Sequence, residues 1–234
     1  MGQKKLIRFA EIKGFPNVLE YPQNMKGQWK NFFLNNNPVI LELACGKGEY
    51  AVGLGRMYAE KNFIGLDIKG NRMWVGAKTA LGERLANVAF IRTQIDKITD
   101  YFAEGEVDEI WITFPDPQLR VSRAKKRLTH PRFLQLYQKI MGNDSIVNLK
   151  TDSPDLYNFT KKVINLFRLD LLEDIDDVYA ETELSEDLHI KTHYEKLDIA
   201  KSNRIYYLKF SLNKSFPADA DEQLKQLLIE HEVD

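Results

Sequence analysis

The chain has 234 residues, 44% apolar and 29% charged, with a formal net charge of −1, the balance of a soluble globular protein with a core of its own. That near-neutral total excludes a global nucleic-acid signature, and no apolar run reaches the length needed to span a bilayer. One cysteine, Cys45, excludes an intramolecular disulfide and a thiolate metal cluster, and the four histidines show no ligand spacing, so no metal site is expected.

The first stretch, MGQKKLIRFAEIKGF, has no secretory apolar segment, which predicts a cytoplasmic protein. Residues 1–37 are read as an N-terminal extension, in which Lys4, Lys5 and Arg8 form either a second basic edge or a solvated terminus. From residue 38, short apolar runs alternate with helical patterns. Strands are expected at 38–44, 62–68, 87–92, 107–114 and 145–151. Helices are expected at 48–60, 71–84, 94–102, 130–141 and 153–167, the last with a serine cap and a proline at its first position. Two further strands follow at 169–179 and 204–212, and the tail from 216 to 234 reads as helical. This alternation predicts an α/β domain over 38–215, a mostly parallel sheet with helices on both faces. Ligands of such sheets sit at the carboxyl ends of the strands, near the switch in strand order.

Charge is segregated along the chain. Residues 117–143 hold seven Lys or Arg and no acid, whereas residues 170–187 hold nine Asp or Glu and no Lys or Arg. The basic run fits either an RNA-facing surface or a solvated loop and helix face. The acidic stretch fits either an RNA-repelling or partner-binding surface or a solvated strand and loop.

The first strand–helix turn reads ELACGKGEYA. Gly46 to Ala51 matches G-x-G-x-x-A, and Asp67 ends the second strand nineteen residues after Gly48. Glycines allow a tight turn and close backbone approach, and the acid can accept from a ribose diol. This pattern alone fits a nicotinamide dinucleotide, S-adenosylmethionine, or an ordinary turn. Glu42 and Asp116 tip the balance. A carboxylate beside the loop repels a pyrophosphate but favours the ammonium and sulfonium of S-adenosylmethionine. Gln94, after the third strand, either meets an adenine amino group or simply starts a helix.

The sequence then resembles the bacterial tRNA (guanine-N7-)-methyltransferases, which methylate guanine 46 of the variable loop. The resemblance covers nearly the whole chain: RFAE at 8–11, PNVLEYP at 16–22, LELACGKGEY at 41–50, FIGLDIK at 63–69, FPDP at 114–117, KRLTHPRFL at 126–134, LKTD at 149–152 and THYE at 192–195. It implies the Rossmann-like fold of class I S-adenosylmethionine-dependent methyltransferases, with tRNA as substrate. Carried over residue by residue, it implies cofactor contacts at Glu42, Gly46, Gly48, Asp67, Gln94 and Asp116, with Asp116 also catalytic. It implies substrate contacts at Arg120, Asp152, Thr192, His193, Tyr194 and Glu195. Arg123, Lys125, Lys126 and Arg127 are then expected to meet tRNA phosphates. No obligatory protein partner is implied, and the chain is expected as a monomer or homodimer.

Three stretches depart from the family's spelling. Gln118-Leu119-Arg120 stands where the family usually has W-P-K, which predicts a less rigid loop and a changed cation geometry. Gln94 replaces an acid, and Ala44 replaces a glycine. The alternatives are a small-molecule methyltransferase, which needs no basic run, and a non-catalytic RNA-binding module, which binds no methyl donor.

Overall fold

The computed structural model describes residues 2–197 and 201–230. Its centre is one eight-stranded sheet: β1 (Val18–Glu20), β2 (Val39–Leu43), β3 (Asn62–Asp67), β4 (Val88–Arg92), β5 (Val107–Thr113), β6 (Met141–Thr151), β7 (Asp170–Ile175) and β8 (Tyr206–Ser211). The spatial order is β1-β4-β3-β2-β5-β6-β8-β7. Neighbours from β1 to β6 run parallel, and β8 is antiparallel to both β6 and β7. Order reverses between β2 and β5, because the chain builds outward through β3 and β4 and then crosses back.

The helices are α1 (Gly2–Glu11), α2 (Trp29–Phe33), α3 (Glu49–Met57), α4 (Gly70–Gly82), α5 (Pro131–Gln138), α6 (Pro154–Leu166) and α7 (Ala220–Glu230). Every residue of β2 is buried, as expected of a central parallel strand covered on both faces. Its alternation still sorts the two cores: Leu41 and Leu43 join one cluster, Ile40 the other. Ser153 caps α6 by accepting from the Leu156 amide at 3.2 Å, with Pro154 at the first helical position.

Several elements differ from the sequence expectation. Residues 2–37 are built into the fold: β1 extends the sheet beside β4, and Trp29 is fully buried, stacked on Phe102 and donating from Nε1 to the Tyr101 carbonyl at 3.0 Å. The stretch 94–102 yields only a 3-10 turn, at Ile95–Asp100. The helix α5 stops at Gln138 and β6 starts at Met141, because Met141 pairs with Val107 across an irregular register. β7 ends at Ile175. Its acids meet neighbouring lysines, Asp170 with Lys214, Glu173 with Lys209 and Asp174 with Lys161, which supports a solvated strand. In the tail, α7 buries Ala220 and Leu224; residues 231–234 lie outside the described residues.

Candidate active site

A cleft of about 650 Å³ opens at the carboxyl ends of β2, β3, β5 and β6, where the strand order switches. Ala44, Gly46, Asp67, Arg72, Phe114 to Pro117, Asp152 and Tyr194 are among the residues that line it. A second cavity of about 380 Å³ shares Ala44, Asp67 and Ile68 and continues to Thr93, Gln94, Ile95 and Phe133.

The glycine loop closes on itself. The Cys45 amide donates to the Leu66 carbonyl at 2.9 Å, and the Gly48 amide to the Cys45 carbonyl at 2.7 Å. Asp67 pins the loop to β3: Oδ2 accepts from the Gly46 amide at 2.9 Å and Oδ1 from the Lys69 amide at 2.8 Å. Each oxygen keeps a lone pair for a ligand hydroxyl. The two glycines differ in role. Gly46 lines the cleft and lies under the Tyr194 ring. Gly48, with φ +70°, faces away, and a Cβ there would fall 2.4 Å from the Phe90 ring. Gly48 is therefore held as glycine by packing, and it is not among the residues that line the cleft.

Glu42 also departs from expectation. As residue i+2 from Ile40 it points into the core beneath α3 and does not line the cleft. Its carboxyl accepts from the Ala51 amide at 2.9 Å and from Thr113 Oγ1 at 3.1 Å. Burial pushes its pKa up to about 8, against the lowering effect of those hydrogen bonds. Burial thus favours the protonated form of Glu42, and its carboxyl braces the start of α3. The acids that do line the cleft are Asp67, Asp116, Asp152 and Asp155, against the cations Lys69 and Arg72. Gln94 reaches the smaller cavity, exposed and without a side-chain capping bond.

Asp116 projects from the loop after β5. Its Oδ1 accepts from the Gln118 amide at 3.0 Å, and the loop is bent by left-handed residues at Phe114 (φ +47°) and Gln118 (φ +49°). Leu119, at the family's proline position, is 64% exposed at the cleft rim. Arg120 is exposed just beyond it.

Asp152 lines the cleft after β6. Across from it, Thr192 to Glu195 form a reciprocal cap: Thr192 Oγ1 accepts from the Glu195 amide at 3.1 Å, while Glu195 Oε2 accepts from the Thr192 amide at 3.3 Å. Of these four, only Tyr194 reaches the cleft, with the Arg72 guanidinium 5.4 Å from its ring centroid. His193 is exposed, and its amide donates to Glu49. Thr192 and Glu195 are buried, and their reciprocal hydrogen bonds support the loop. Glu195 also accepts from the Tyr179 hydroxyl and from Lys150 Nζ at 3.3 Å.

Sequence reasoning missed Lys150. It is 0% exposed, donates to the Leu188 and Ile190 carbonyls at 2.8 and 3.1 Å, and has its pKa lowered to about 8 by burial. The signal was present: a lysine inside the apolar run SIVNLKT needs a buried partner. Arg72, on α4, gave no such signal.

The basic run is less uniform than its sequence. Arg123, Lys125 and Lys126 are exposed, but the fold brings in acids the run itself lacks: Asp221 pairs with Lys125 at 3.2 Å and Asp96 with Arg132 at 3.5 Å. Arg127 is only 6% exposed and turns inward.

The cavities suit an adenosyl methyl donor. Ile68, Ile95 and Phe133 offer an apolar slot, and the buried Thr93 hydroxyl on its wall has no hydrogen-bond partner among the described residues. Asp67 stands where both cavities meet. Residues 36–208 match a family described as a putative methyltransferase. Among solved structures, the chain resembles a 30S ribosomal A1408 methyltransferase from an uncultured bacterium, at TM-score 0.56 and 19% identity over 85% of this chain and 98% of that one. It also resembles a SAM-dependent methyltransferase from Aquifex aeolicus, at TM-score 0.52 and 12% identity over 87% and 97% of the two chains. Those likenesses carry the class I methyltransferase fold. At the level of sequence, the chain is 44% identical to a tRNA (guanine-N(7)-)-methyltransferase of Bacteroides fragilis (strain YCH46), over 100% of this chain and 93% of the relative. With that identity along its full length, and the cleft at the switch point of its sheet, the chain belongs to the tRNA (guanine-N(7)-)-methyltransferase family.

Proposed function

We propose that the protein methylates N7 of guanine in tRNA, at variable-loop position 46, using S-adenosylmethionine in the cytoplasm. The observation that carries this reading is the convergence of Asp67, Asp116, Asp152 and Tyr194 on one cleft beside a partly apolar slot. When bound, S-adenosylmethionine supplies an electrophilic methyl group on a sulfonium.

Guanine N7 is an in-plane lone pair without a proton, so attack needs no general base. Positioning is the main demand on the protein. Asp67 orients the ribose side through its place at the junction of the cavities. Asp116, beside the larger cavity, orients the guanine N–H edge or the donor's ammonium, and its negative charge suits the cationic purine that forms. Asp152 is a second acceptor for the guanine edge. Tyr194 offers a ring face to the base, with Arg72 behind it. Arg120, Arg123 and Lys126 meet phosphate around the opening. Reaching N7 in folded tRNA calls for local displacement of the base.

The test is incubation with unmodified tRNA and isotopically labelled S-adenosylmethionine, followed by nucleoside mass spectrometry. Labelled 7-methylguanosine at position 46 is expected. Its absence while calorimetry shows the methyl donor bound would overturn the reading.

A further inference from the structure

The basic run 117–143 contains one cation that faces inward. Arg127 follows the 3-10 turn Val121–Lys126, and its own amide donates to the Ala124 carbonyl at 3.0 Å. Its guanidinium lies 4.4 Å from the ring centroid of Phe159, a buried residue of α6. From there Nε donates to the Pro117 carbonyl at 3.1 Å and to the Gln118 carbonyl at 3.3 Å, and Nη2 donates to the Gln118 carbonyl at 3.2 Å. The amide of the same Gln118 donates to Asp116 Oδ1. A continuous path therefore runs from the hydrophobic face of α6, through Arg127 and the Gln118 peptide, to the cleft carboxylate.

We infer that Arg127 is a positioning residue that fixes Asp116 in the cleft, not a contact to RNA; this rests on the methyl-transfer reading above. The loop needs such a brace. Phe114 and Gln118 both hold left-handed backbone, a conformation that persists in side-chain-bearing residues only where the surroundings impose it. Gln118-Leu119 also lacks the family's aromatic–proline pair, which would stiffen the loop locally. Arg127 supplies from below the rigidity that the loop's own residues do not. Only a guanidinium is both planar enough to lie on Phe159 and forked enough to reach two successive carbonyls. A lysine ammonium keeps the charge and loses both properties.

Arg127→Lys and Arg127→Met in the full chain separate this role from phosphate binding. The readouts are calorimetric affinity for S-adenosylmethionine, kcat and KM with tRNA, and the salt dependence of tRNA affinity. Both variants are expected to bind the methyl donor, to lose about 10- to 100-fold in kcat through misplacement of the carboxylate, and to keep KM and the wild-type salt slope. A phosphate contact behaves otherwise: Arg127→Lys stays active, and Arg127→Met flattens the salt slope by about 0.7–0.9. Either result overturns the inference. Should both variants fail to fold, hydrogen exchange on the wild type decides. The Gln118 amide is expected to exchange slowly despite its place in a surface loop, and fast exchange overturns the brace. That measurement needs no activity, so it stays separate from the mass-spectrometric test of methyl transfer.

Discussion

The glycine-loop wall of the cleft and the Asp116 wall facing it satisfy their polar groups in different ways. On the first wall, Glu42, Asp67, Lys150 and Glu195 each have more than one hydrogen-bond partner, Thr192 is locked to Glu195, and most are buried. On the second, Asp116, Leu119 and Arg120 are exposed, the backbone is strained twice within five residues, and one buried guanidinium reaches the loop from below. The first wall is a rigid network in which each member depends on the others. The second is a thin loop anchored at one point. A damaged residue should therefore reduce stability on the first wall and turnover on the second.

The largest effect is expected at Lys150. Lys150→Met leaves the Glu195 carboxylate buried without its cation, so urea unfolding should show a loss of about 3–5 kcal/mol. Adding Glu195→Gln should recover part of it, since the uncompensated charge is then gone. An additive double variant would mean that the two side chains are not coupled.

A smaller loss appears through pH. The Glu42 carboxyl titrates near 4.5 when unfolded and at about 8 when folded. Between those values the folded chain holds a proton the unfolded chain has lost, so this group's contribution to stability falls as pH rises through the window. Glu42→Gln keeps the shape and lacks the titration. Relative to wild type it should gain on the order of 3 kcal/mol from pH 5 to pH 7.5, read from unfolding curves at each pH. A constant difference would show that Glu42 is already ionised in the fold.

On the opposite wall, Asp116→Asn retains an acceptor for the Gln118 amide and removes the charge. Turnover should fall at least about tenfold, or roughly 1.4 kcal/mol in the barrier, with thermal stability nearly unchanged. Near-normal turnover with the methyl donor bound would sink the assigned role of Asp116. The smallest effect is expected at Arg123, exposed on the basic run. Arg123→Gln should flatten the salt dependence of tRNA binding by about 0.7–0.9 and leave kcat alone. An unchanged slope would take Arg123 out of the RNA surface.

Much of this architecture was legible along the chain. The strands β2 to β6, the helices between them and the Ser153-Pro154 cap follow from local periodicity and local capping chemistry, which depend on residues within a turn or two. Asp67, Asp116 and Asp152 were found because they end strands, and in a parallel sheet strand ends gather at one edge. The burial of Glu42 beneath α3 was not legible, because its side of β2 is set by what α3 places above it. The partners of the basic run were not legible in it, because Asp221 and Asp96 come from distant segments and Arg127 turns inward onto Phe159. The Thr-x-x-Glu spacing of residues 192–195 is a capping pattern visible in sequence, but its burial against Lys150 is not.

The sequence alone determined the α/β class, the glycine turn, the carboxylates at the strand ends and the resemblance that points to tRNA guanine-N7 methylation. Each is encoded by neighbouring residues or by a linear motif. Only the tertiary structure decided which acids face the cleft, that residues 18–20 extend the sheet, and that one arginine of a basic run supports the loop it appeared to follow. Those outcomes depend on packing between segments far apart in the chain, where burial and partner geometry override local charge.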